Sequence, residues 1–200
     1  MVERRRQEDR SRATRAALIS AARPLFAKRG FADVSAEEIV SSAGLTRGAL
    51  GHHFGGKPEL FRAVLEQLEQ ELNDRILAGV AESRDAWSAL IDGVGAFLDA
   101  CEDPEVIQIA LTDAPAVVGW SEWREIEEAH CLGLIIAGLE RAVADGVITR
   151  QPVEVAARLM LSAVIEAALL IAAAQDRPAA RTAAEQVLVS LLSGLREGRR

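Results

Sequence analysis

Residues 46–60 read TRGALGHHFGGKPEL, and this stretch decides the fold. Thr46 is a favourable helix N-cap, so a helix is predicted from Thr46 to about His53. The GGKP segment then breaks the chain, and Pro58 stands where the first turn of a new helix tolerates proline. The stretch therefore predicts a short exposed helix, a tight turn and the start of a long helix.

A second short helix precedes this stretch. Ser35 and Glu38 have the spacing of a capping box, which predicts a helix start at this point. Gly44 ends that helix, because glycine can take the left-handed conformation that a sharp turn demands. Val40 and Leu50 flank the AGLT turn at distances that let both side chains point inward. The two helices form a candidate helix-turn-helix, although many helix pairs share a glycine turn.

The second helix of this pair has an outer face that carries Arg47, Ala49 and His52. A helix exposed in this way can enter the major groove of DNA. The spacing alone therefore favours nucleic-acid binding.

The charge distribution agrees with this interpretation. Residues 1–62 hold twelve Lys or Arg and seven Asp or Glu, whereas the rest of the chain is strongly acidic and the net charge is −7. A basic segment on an acidic body suggests that the segment meets an anion. Chance clustering of charge on solvated helix faces is the alternative.

Composition limits the remaining possibilities. The 200 residues suffice for one or two domains with a core, and half of them are apolar. No apolar run is expected to span a membrane, so a cytoplasmic protein is predicted. Two cysteines, Cys101 and Cys131, fit a reducing compartment rather than a disulfide scaffold.

The fold class is predicted to be all-α, because Ala, Leu, Glu and Arg dominate and no stretch alternates apolar with polar residues. Residues 1–11 are expected to be loose, and DAPAVVGW (113–120) is expected to be a break. Nine helices are predicted, at about 14–28, 35–43, 46–53, 58–81, 85–101, 104–112, 121–145, 152–174 and 178–195.

Residues 14–61 resemble the DNA-binding domain of the TetR (tetracycline-repressor) family of transcriptional regulators. The resemblance rests on TRAALISAARPLFAKRGF, Ser35, Ile39, the AGLT turn and GALGHHFGGKPELF. It implies a three-helix head with a basic arm in residues 1–56 and a six-helix ligand and dimerisation domain in residues 57–200. It also implies a homodimer that binds a double-stranded DNA operator, more often as a repressor.

The resemblance assigns roles to individual residues of the head. Thr46 and Lys57 would hold backbone phosphates, Ser35 would cap its helix, and Arg47 would read a base. The predicted DNA-binding set is Ser35, Thr46, Arg47, Gly48, Ala49, His52, His53 and Lys57. Arginines of the arm would follow a groove or the phosphates, unless the arm is only a solubilising tail; they are Arg4, Arg5, Arg6, Arg10, Arg12 and Arg15.

Gly51 departs from the family pattern, which usually has a tyrosine just before HHF. The loss of one phosphate contact and the presence of a helical glycine each cost about 1 kcal/mol. Weaker DNA binding is therefore expected, or binding that depends more on the arm. The alternative function is a helical protein that binds a small molecule or a partner through its body and whose DNA-binding head has weakened.

The last two predicted helices carry more apolar residues than a single stripe requires, so their surface must be buried. A four-helix interface between two copies satisfies this need, whereas an ordinary monomer core is the alternative. The predicted interface residues are Leu161, Ile165, Leu169, Leu188, Leu191 and Leu192.

The resemblance also implies a pocket for a small, largely apolar effector among the middle helices. Each aromatic residue there can equally be plain core. Glu166 is a lone acid in the apolar run LMLSAVIEAALLIAAA, and a buried acid needs a partner. The predicted ligand-binding residues are Trp87, Phe97, Gln108, Asp113, Trp120, Trp123, His130 and Glu166.

No catalytic or cofactor chemistry is predicted. The sequence has no glycine-rich phosphate loop and no nucleophile elbow, so an enzyme is not expected. Glu127, His130 and Cys131 share a helical face, but three residues without a second cluster are weak support for a metal site. No metal and no cofactor are therefore expected.

Overall fold

The computed structural model describes residues 2–196, with side chains from residue 6 onward, and its regular structure there is entirely helical. The prediction of an all-α chain with nine helices is confirmed for this part of the protein. The helices are α1 Val2–Arg29, α2 Ala36–Ser42, α3 Arg47–Phe54, α4 Lys57–Val80, α5 Ala86–Ala100, α6 residues 104–117, α7 residues 120–144, α8 Val153–Ala173 and α9 Arg177–Ser193.

Two of these helices contain π-helical turns. Ile107–Asp113 forms the middle of α6, and Glu128–Leu132 forms the middle of α7. The prediction of a break from residue 113 was wrong, because α6 continues to Val117. The chain breaks only at Gly119, whose φ of 87° is unfavourable for a residue with a Cβ.

The N-terminal segment is also more regular than expected. Helix α1 begins at Val2 rather than near Thr14, so the prediction of a loose segment was wrong. Pro24 lies inside α1, is exposed, and does not end the helix. The helix is anchored further along by Leu18, Ala22 and Phe26, all with fully buried side chains.

The described chain divides into two compact units. The head unit comprises the residues up to Leu68 together with Pro104–Trp123, and the body unit comprises Glu69–Asp103 and the residues from Arg124 onward. The predicted domain division at residues 56/57 runs along the chain, and it stays a prediction. Helix α6 is thus part of the head unit, although α5 before it and α7 after Trp123 lie in the body unit.

Two polar contacts hold α6 within the head unit. The Arg23 guanidinium donates two hydrogen bonds of 2.8 Å to the Glu105 carboxylate. The Asp113 carboxylate accepts a hydrogen bond of 2.7 Å from the Phe31 backbone N–H, just after α1. Helix α6 is therefore tied to the last third of α1 and to the loop that follows it.

The helix-turn-helix forms as the spacing predicts. Ile39, Val40 and Leu50 are buried between α1, α2 and α3. Gly44 adopts a φ of 65°, and the Leu45 N–H donates to the Val40 carbonyl at 2.8 Å, which closes the turn. The core of the pair is thus set by residues within two helical turns of the glycine.

Helix α8 forms the centre of the body unit. Its residues Ala157, Leu161, Ala168 and Ile171 are fully buried. Contrary to the sequence expectation, Val153–Ala173 is long and apolar enough to cross a membrane by length and composition alone. The core helix of a water-soluble protein passes the same test, so this property carries no further conclusion.

Candidate DNA-binding surface and effector cavity

The N-terminal half of α3 presents its side chains to solvent. Thr46 caps the helix, because its hydroxyl accepts a hydrogen bond of 3.3 Å from the Ala49 N–H. The side of the helix opposite the buried Leu50 is open. The predicted contact residues Thr46, Arg47, Gly48 and His52 are exposed there, and Ala49 and His53 are partly exposed.

Arg47 forms an ion pair with Glu37 of α2, and both side chains are well exposed. The pair holds the guanidinium against the protein rather than extended from it. An exposed pair of this kind contributes little to stability, so a phosphate or a base can compete for the guanidinium.

Lys57 makes contacts within the protein that the sequence did not indicate. Its ammonium donates hydrogen bonds to the carbonyls of Phe31 at 2.8 Å and Val34 at 2.7 Å. It also lies 3.9 Å from the centre of the Phe31 ring. Lysine has three N–H donors, so one remains for a phosphate. In this structure Lys57 primarily braces the loop between α1 and α2.

Ser35 is engaged in the predicted capping box with Glu38. The Glu38 N–H donates to the Ser35 hydroxyl, and the Ser35 N–H donates to the Glu38 carboxylate at 2.9 Å. Arg29 adds two hydrogen bonds of 2.9 Å to the same carboxylate. The Arg29 guanidinium and the Ser35 donors lower the pKa of Glu38 to about 2. The carboxylate is therefore charged wherever the head unit is folded at ordinary pH.

The N-terminal arm is helical and lies beside the end of α3. The Arg15 guanidinium donates to the His53 carbonyl and lies 4.1 Å from the centre of the Phe54 ring. An open groove separates the arm from α3, and it is lined by Gln7, Glu8, Arg10, Ser11, Thr14, His52 and His53. Arg6, Arg10 and Arg12 have exposed side chains, whereas those of Arg4 and Arg5 lie outside the described part of the chain.

Gly51 lies on the open side of α3, and its helical backbone does not need glycine. A Cβ placed there meets no atom within 4 Å, and its φ is not positive. The backbone therefore accepts the Cβ of alanine or tyrosine at this position without a clash.

The body unit contains an apolar cavity of about 260 Å³. Its walls come from α4, α5, α7, α8 and α9, and none of the described residues that line it carries a charge. The lining residues are Ile76, Leu77, Val80, Ala89, Leu90, Gly93, Val94, Phe97, Cys131, Leu134, Ile135, Ala137, Gly138, Leu139, Met160, Leu161, Val164 and Leu192. Such a site suits a small apolar molecule.

Of the predicted ligand-binding residues, only Phe97 lines this cavity. In the head unit, Asp113 accepts the Phe31 N–H, and Gln108 lies beside Gly30. Also in the head unit, Trp123 is fully buried and its indole N–H has no hydrogen-bond partner among the described residues, whereas Trp120 is exposed. These four residues therefore do not line the cavity, because sequence spacing does not reveal which helix face meets it.

The three other predicted ligand residues lie elsewhere in the body unit. Trp87 stacks under the Arg196 guanidinium at 4.5 Å. His130 is partly exposed, and Glu166 is exposed on α8, so the lone acid faces away from the core. None of the three lines the cavity.

Most of the residues predicted to form the dimer interface lie inside the protomer. Leu161, Ile165, Leu188 and Leu192 are buried inside the protomer, and Leu169 is partly buried. Only Leu191 is exposed, at 53%. The exposed large apolar residues of α8 and α9 are Val155, Leu159, Leu170, Val187 and Leu191, which we call the apolar face.

The body unit also contains a buried acidic cluster that the sequence did not predict. Glu69 of α4 and Glu127 of α7 are 2% and 4% exposed, and both lie close to Cys131. Burial, and then the Glu127 carboxylate, raise the pKa of Glu69 well above its usual value. Burial likewise raises the pKa of the Cys131 thiol, with a smaller effect from the two carboxylates. The sequence brought Glu127 and Cys131 together, but nothing in it pointed to Glu69.

Two family models match the chain. Residues 87–195, more than half of the chain, match the tetracyclin repressor-like C-terminal domain. Residues 18–64 match the tetR family of bacterial regulatory proteins. The two matches together cover the helix-turn-helix and most of the body unit.

Individual proteins agree with these matches. The Transposon Tn10 TetC protein of Escherichia coli is 27% identical over 139 residues, 70% of each chain. The HTH-type transcriptional regulator TtgR of Pseudomonas putida is 43% identical over 81 residues, which are 40% of this chain and 38% of TtgR.

Solved structures extend the similarity over nearly the whole chain. A TetR-family transcriptional regulator from Pectobacterium atrosepticum is 33% identical with a TM-score of 0.86, over 96% of this chain and 98% of that one. RolR in complex with resorcinol has a TM-score of 0.76 at 17% identity, over 96% and 91% of the two chains, and shows the fold alone.

The exposed α3, the helix-turn-helix core and both family matches lead to one conclusion. The chain belongs to the TetR family of bacterial transcriptional regulators, which bind DNA through a helix-turn-helix domain and are not enzymes.

Proposed function

We propose that this protein is a homodimeric repressor that releases a palindromic operator when a small apolar molecule enters the body-unit cavity. The observation that carries the ligand half of the proposal is the cavity of about 260 Å³ with no charged side chain in its wall. An effector that fits it is neutral in its buried part, because an unpaired charge there is costly. As a regulator of bacterial genes, the protein would act in the cytoplasm.

The DNA half rests on the open face of α3. Arg47 is the base reader in this proposal, because its planar guanidinium can pair with guanine in the major groove. Thr46 and the remaining N–H of Lys57 would contact phosphates at the two ends of the α3 segment. Arg6, Arg10 and Arg12 of α1 are exposed and would add phosphate contacts.

The homodimer is supported by the apolar face of α8 and α9. A two-fold DNA reader must place two α3 helices about one helical turn of DNA apart, which a symmetric dimer achieves. Leu159 and Leu170 are 68% and 60% exposed in the protomer. Apolar residues this exposed on neighbouring helices suit a self-complementary interface with a second copy.

Release of DNA then follows from a shift between two populations. An effector favours the dimer geometry that it binds more tightly, and repression ends if the α3 helices no longer match successive major grooves in that geometry. The filled cavity supplies the difference in binding free energy between the two geometries.

The DNA half is tested by fluorescence anisotropy with fragments from upstream of the protein's own gene, at two salt concentrations. We expect selective binding that weakens with salt and loses its selectivity in Arg47→Ala. Arg150→Ala removes an exposed arginine from the body unit and serves as the control. A folded dimer that binds no DNA fragment selectively would contradict the proposed repressor function. It would favour the alternative function, a protein that binds a small molecule or a partner through its body.

The ligand half is tested with N-phenylnaphthylamine, a neutral fluorophore that brightens in apolar surroundings. We expect the wild type to bind it and Ala89→Phe, which fills the cavity from α5, to lose binding. Ala78→Phe makes the same change on an exposed part of α4 and should bind normally. Equal fluorescence from all three proteins would exclude the cavity as the binding site.

A further inference from the structure

Two carboxylates and a thiol converge inside the body unit. A carboxylate oxygen of Glu69, one of Glu127 and the Sγ of Cys131 all lie within 4.8 Å of one another. All three residues are buried, with at most 6% of their surface exposed. Glu69 comes from α4, and the other two come from α7, so the tertiary fold creates this group.

The cluster also contains an acceptor without a donor. Oε1 of Glu69 is buried and has no hydrogen-bond partner among the described residues. Oδ1 of Asn73, one helical turn further along α4, is also buried and has no hydrogen-bond partner among the described residues. Buried acceptors are nearly always paired in native proteins, so two of them on one stretch of α4 call for an electropositive neighbour.

A shared proton explains only part of this arrangement. A hydrogen bond between Glu69 and Glu127 would allow one carboxyl to remain neutral. It leaves Oε1 of Glu69 without a partner, and it gives no role to the Sγ of Cys131. A cation placed between the three atoms would use all of them.

We propose that Glu69, Glu127 and Cys131 bind one divalent transition-metal ion of the Zn²⁺ or Co²⁺ type. The donor set selects this class, because a thiolate ligand disfavours Mg²⁺ and Ca²⁺, whereas zinc accepts sulfur and carboxylate oxygen together. The ion replaces the proton of the Cys131 thiol and the proton shared by Glu69 and Glu127, and both protons leave to solvent on binding. Three protein ligands leave a fourth position for water.

The local backbone supports the site. Cys131 lies in the π-helical turn Glu128–Leu132. Glu127 is the last residue of the α-helical segment that precedes this turn. Such turns re-aim the side chains of a helix and occur often at functional sites. Cys131 also lines the apolar cavity, so the ion would lie at the cavity wall.

The test measures metal content directly and does not depend on DNA binding. The full chain, without a polyhistidine tag, is stripped with a chelator, titrated with Co²⁺, and followed by absorption. We expect about one Co²⁺ per chain with a thiolate-to-cobalt charge-transfer band in the near ultraviolet. The titration is repeated in Cys101→Ser, where Cys131 is the only thiol, and the band should persist.

Two variants test proposed ligands, and a third variant is the control. Glu69→Gln, and Cys131→Ser in the Cys101→Ser background, should weaken Co²⁺ binding by more than about tenfold, and the second should lose the band. Glu125→Gln removes an exposed carboxylate from the same helix as Glu127 and should bind as the wild type does. Zn²⁺ should raise the melting temperature of the wild type but not of Glu69→Gln.

Two results would overturn the site. A folded wild type that binds no stoichiometric Co²⁺ would leave the proton-sharing pair as the explanation. Unchanged binding in Glu69→Gln would place any bound ion elsewhere. Loss of operator binding alone would affect the proposed function and leave this inference intact.

Discussion

The Asp113 carboxylate lies 2.7 Å from the Phe31 backbone nitrogen and accepts its hydrogen bond. This contact joins α6 to the loop that Lys57 also braces through the Phe31 and Val34 carbonyls. Both interactions fix the segment that connects α1 to α2, the first helix of the helix-turn-helix. A residue that the sequence assigned to ligand binding therefore has a structural role in the head unit.

Replacing Asp113 tests this role. Asp113→Ala leaves the Phe31 N–H without an acceptor, so the free energy of unfolding should fall by about 1–3 kcal/mol in a urea titration. Asp113→Asn keeps an acceptor oxygen at the same place, so its free energy of unfolding should fall clearly less than that of Asp113→Ala. Equal losses in the two variants would mean that the carboxylate charge, rather than the hydrogen bond, holds the loop.

Glu37 is expected to restrain DNA binding through its ion pair with Arg47. Glu37→Gln releases the guanidinium and removes a negative charge near the phosphates, so operator affinity should rise a few-fold, about 1 kcal/mol or less. In an Arg47→Ala background, Glu37→Gln should raise operator affinity less. Additive effects in this double-mutant cycle would show that Glu37 acts only through its charge.

Two glycines of the helix-turn-helix should respond in opposite ways to alanine. Gly51→Ala adds a Cβ in open space on a helix, so stability should rise by about 0.5–1 kcal/mol. Gly44→Ala forces a Cβ into a backbone with φ 65°, so stability should fall by about 1–2 kcal/mol. Both values can be read from thermal or urea unfolding.

Gly51→Tyr extends this comparison to DNA affinity. Tyrosine restores a phosphate-contacting hydroxyl at an open position, so operator binding should tighten by about tenfold. Gly51→Phe lacks the hydroxyl and separates its contribution from that of the ring. Unchanged or weaker binding by Gly51→Tyr would contradict the idea that glycine weakens this head.

The stability of the head unit should depend on pH through Glu38. Its pKa is lowered from 4.5 to about 2, mainly by the hydrogen bonds from Arg29 and then by Ser35. A carboxylate with a lowered pKa stabilises the folded state above its unfolded pKa. That contribution is lost as the pH falls from about 5 to about 2.

Glu38→Gln provides the control for this dependence. It should remove a portion of the decline in unfolding free energy between about pH 5 and about pH 2, measured by urea titration at each pH. A decline identical to that of the wild type would assign the acid sensitivity to other carboxylates.

The apolar face of α8 and α9 should determine the oligomeric state. A charge at Leu159 or Leu170 would be buried without a partner in the dimer, so Leu159→Glu and Leu170→Glu should shift the wild-type dimer towards monomer in sedimentation equilibrium. Glu154→Gln changes an exposed polar residue of α8 and should leave the oligomeric state unchanged. A wild type that is monomeric at micromolar concentration would contradict the proposed interface.

The sequence by itself determined the features that depend on neighbours along the chain. The Ser35 and Glu38 capping box, the Thr46 cap and the left-handed Gly44 each need contacts only within one or two turns. Their residue types and spacing therefore specify the helix-turn-helix directly. The same local signals located seven of the nine helices of the described chain to within a few residues; α1 and α6 extend further than predicted.

Only the tertiary structure decided which face of each body helix is buried. Outside the polar stripe of Glu154, Arg158, Ser162 and Glu166, helix α8 is apolar. Its periodicity therefore does not distinguish the buried Leu161 from the exposed Leu159, and the neighbouring helices make that choice. Glu69 reaches Cys131 for the same reason, since contacts between residues distant in sequence follow from helix packing. The cavity and the buried acidic cluster therefore emerge from the packing of several helices rather than from any single motif.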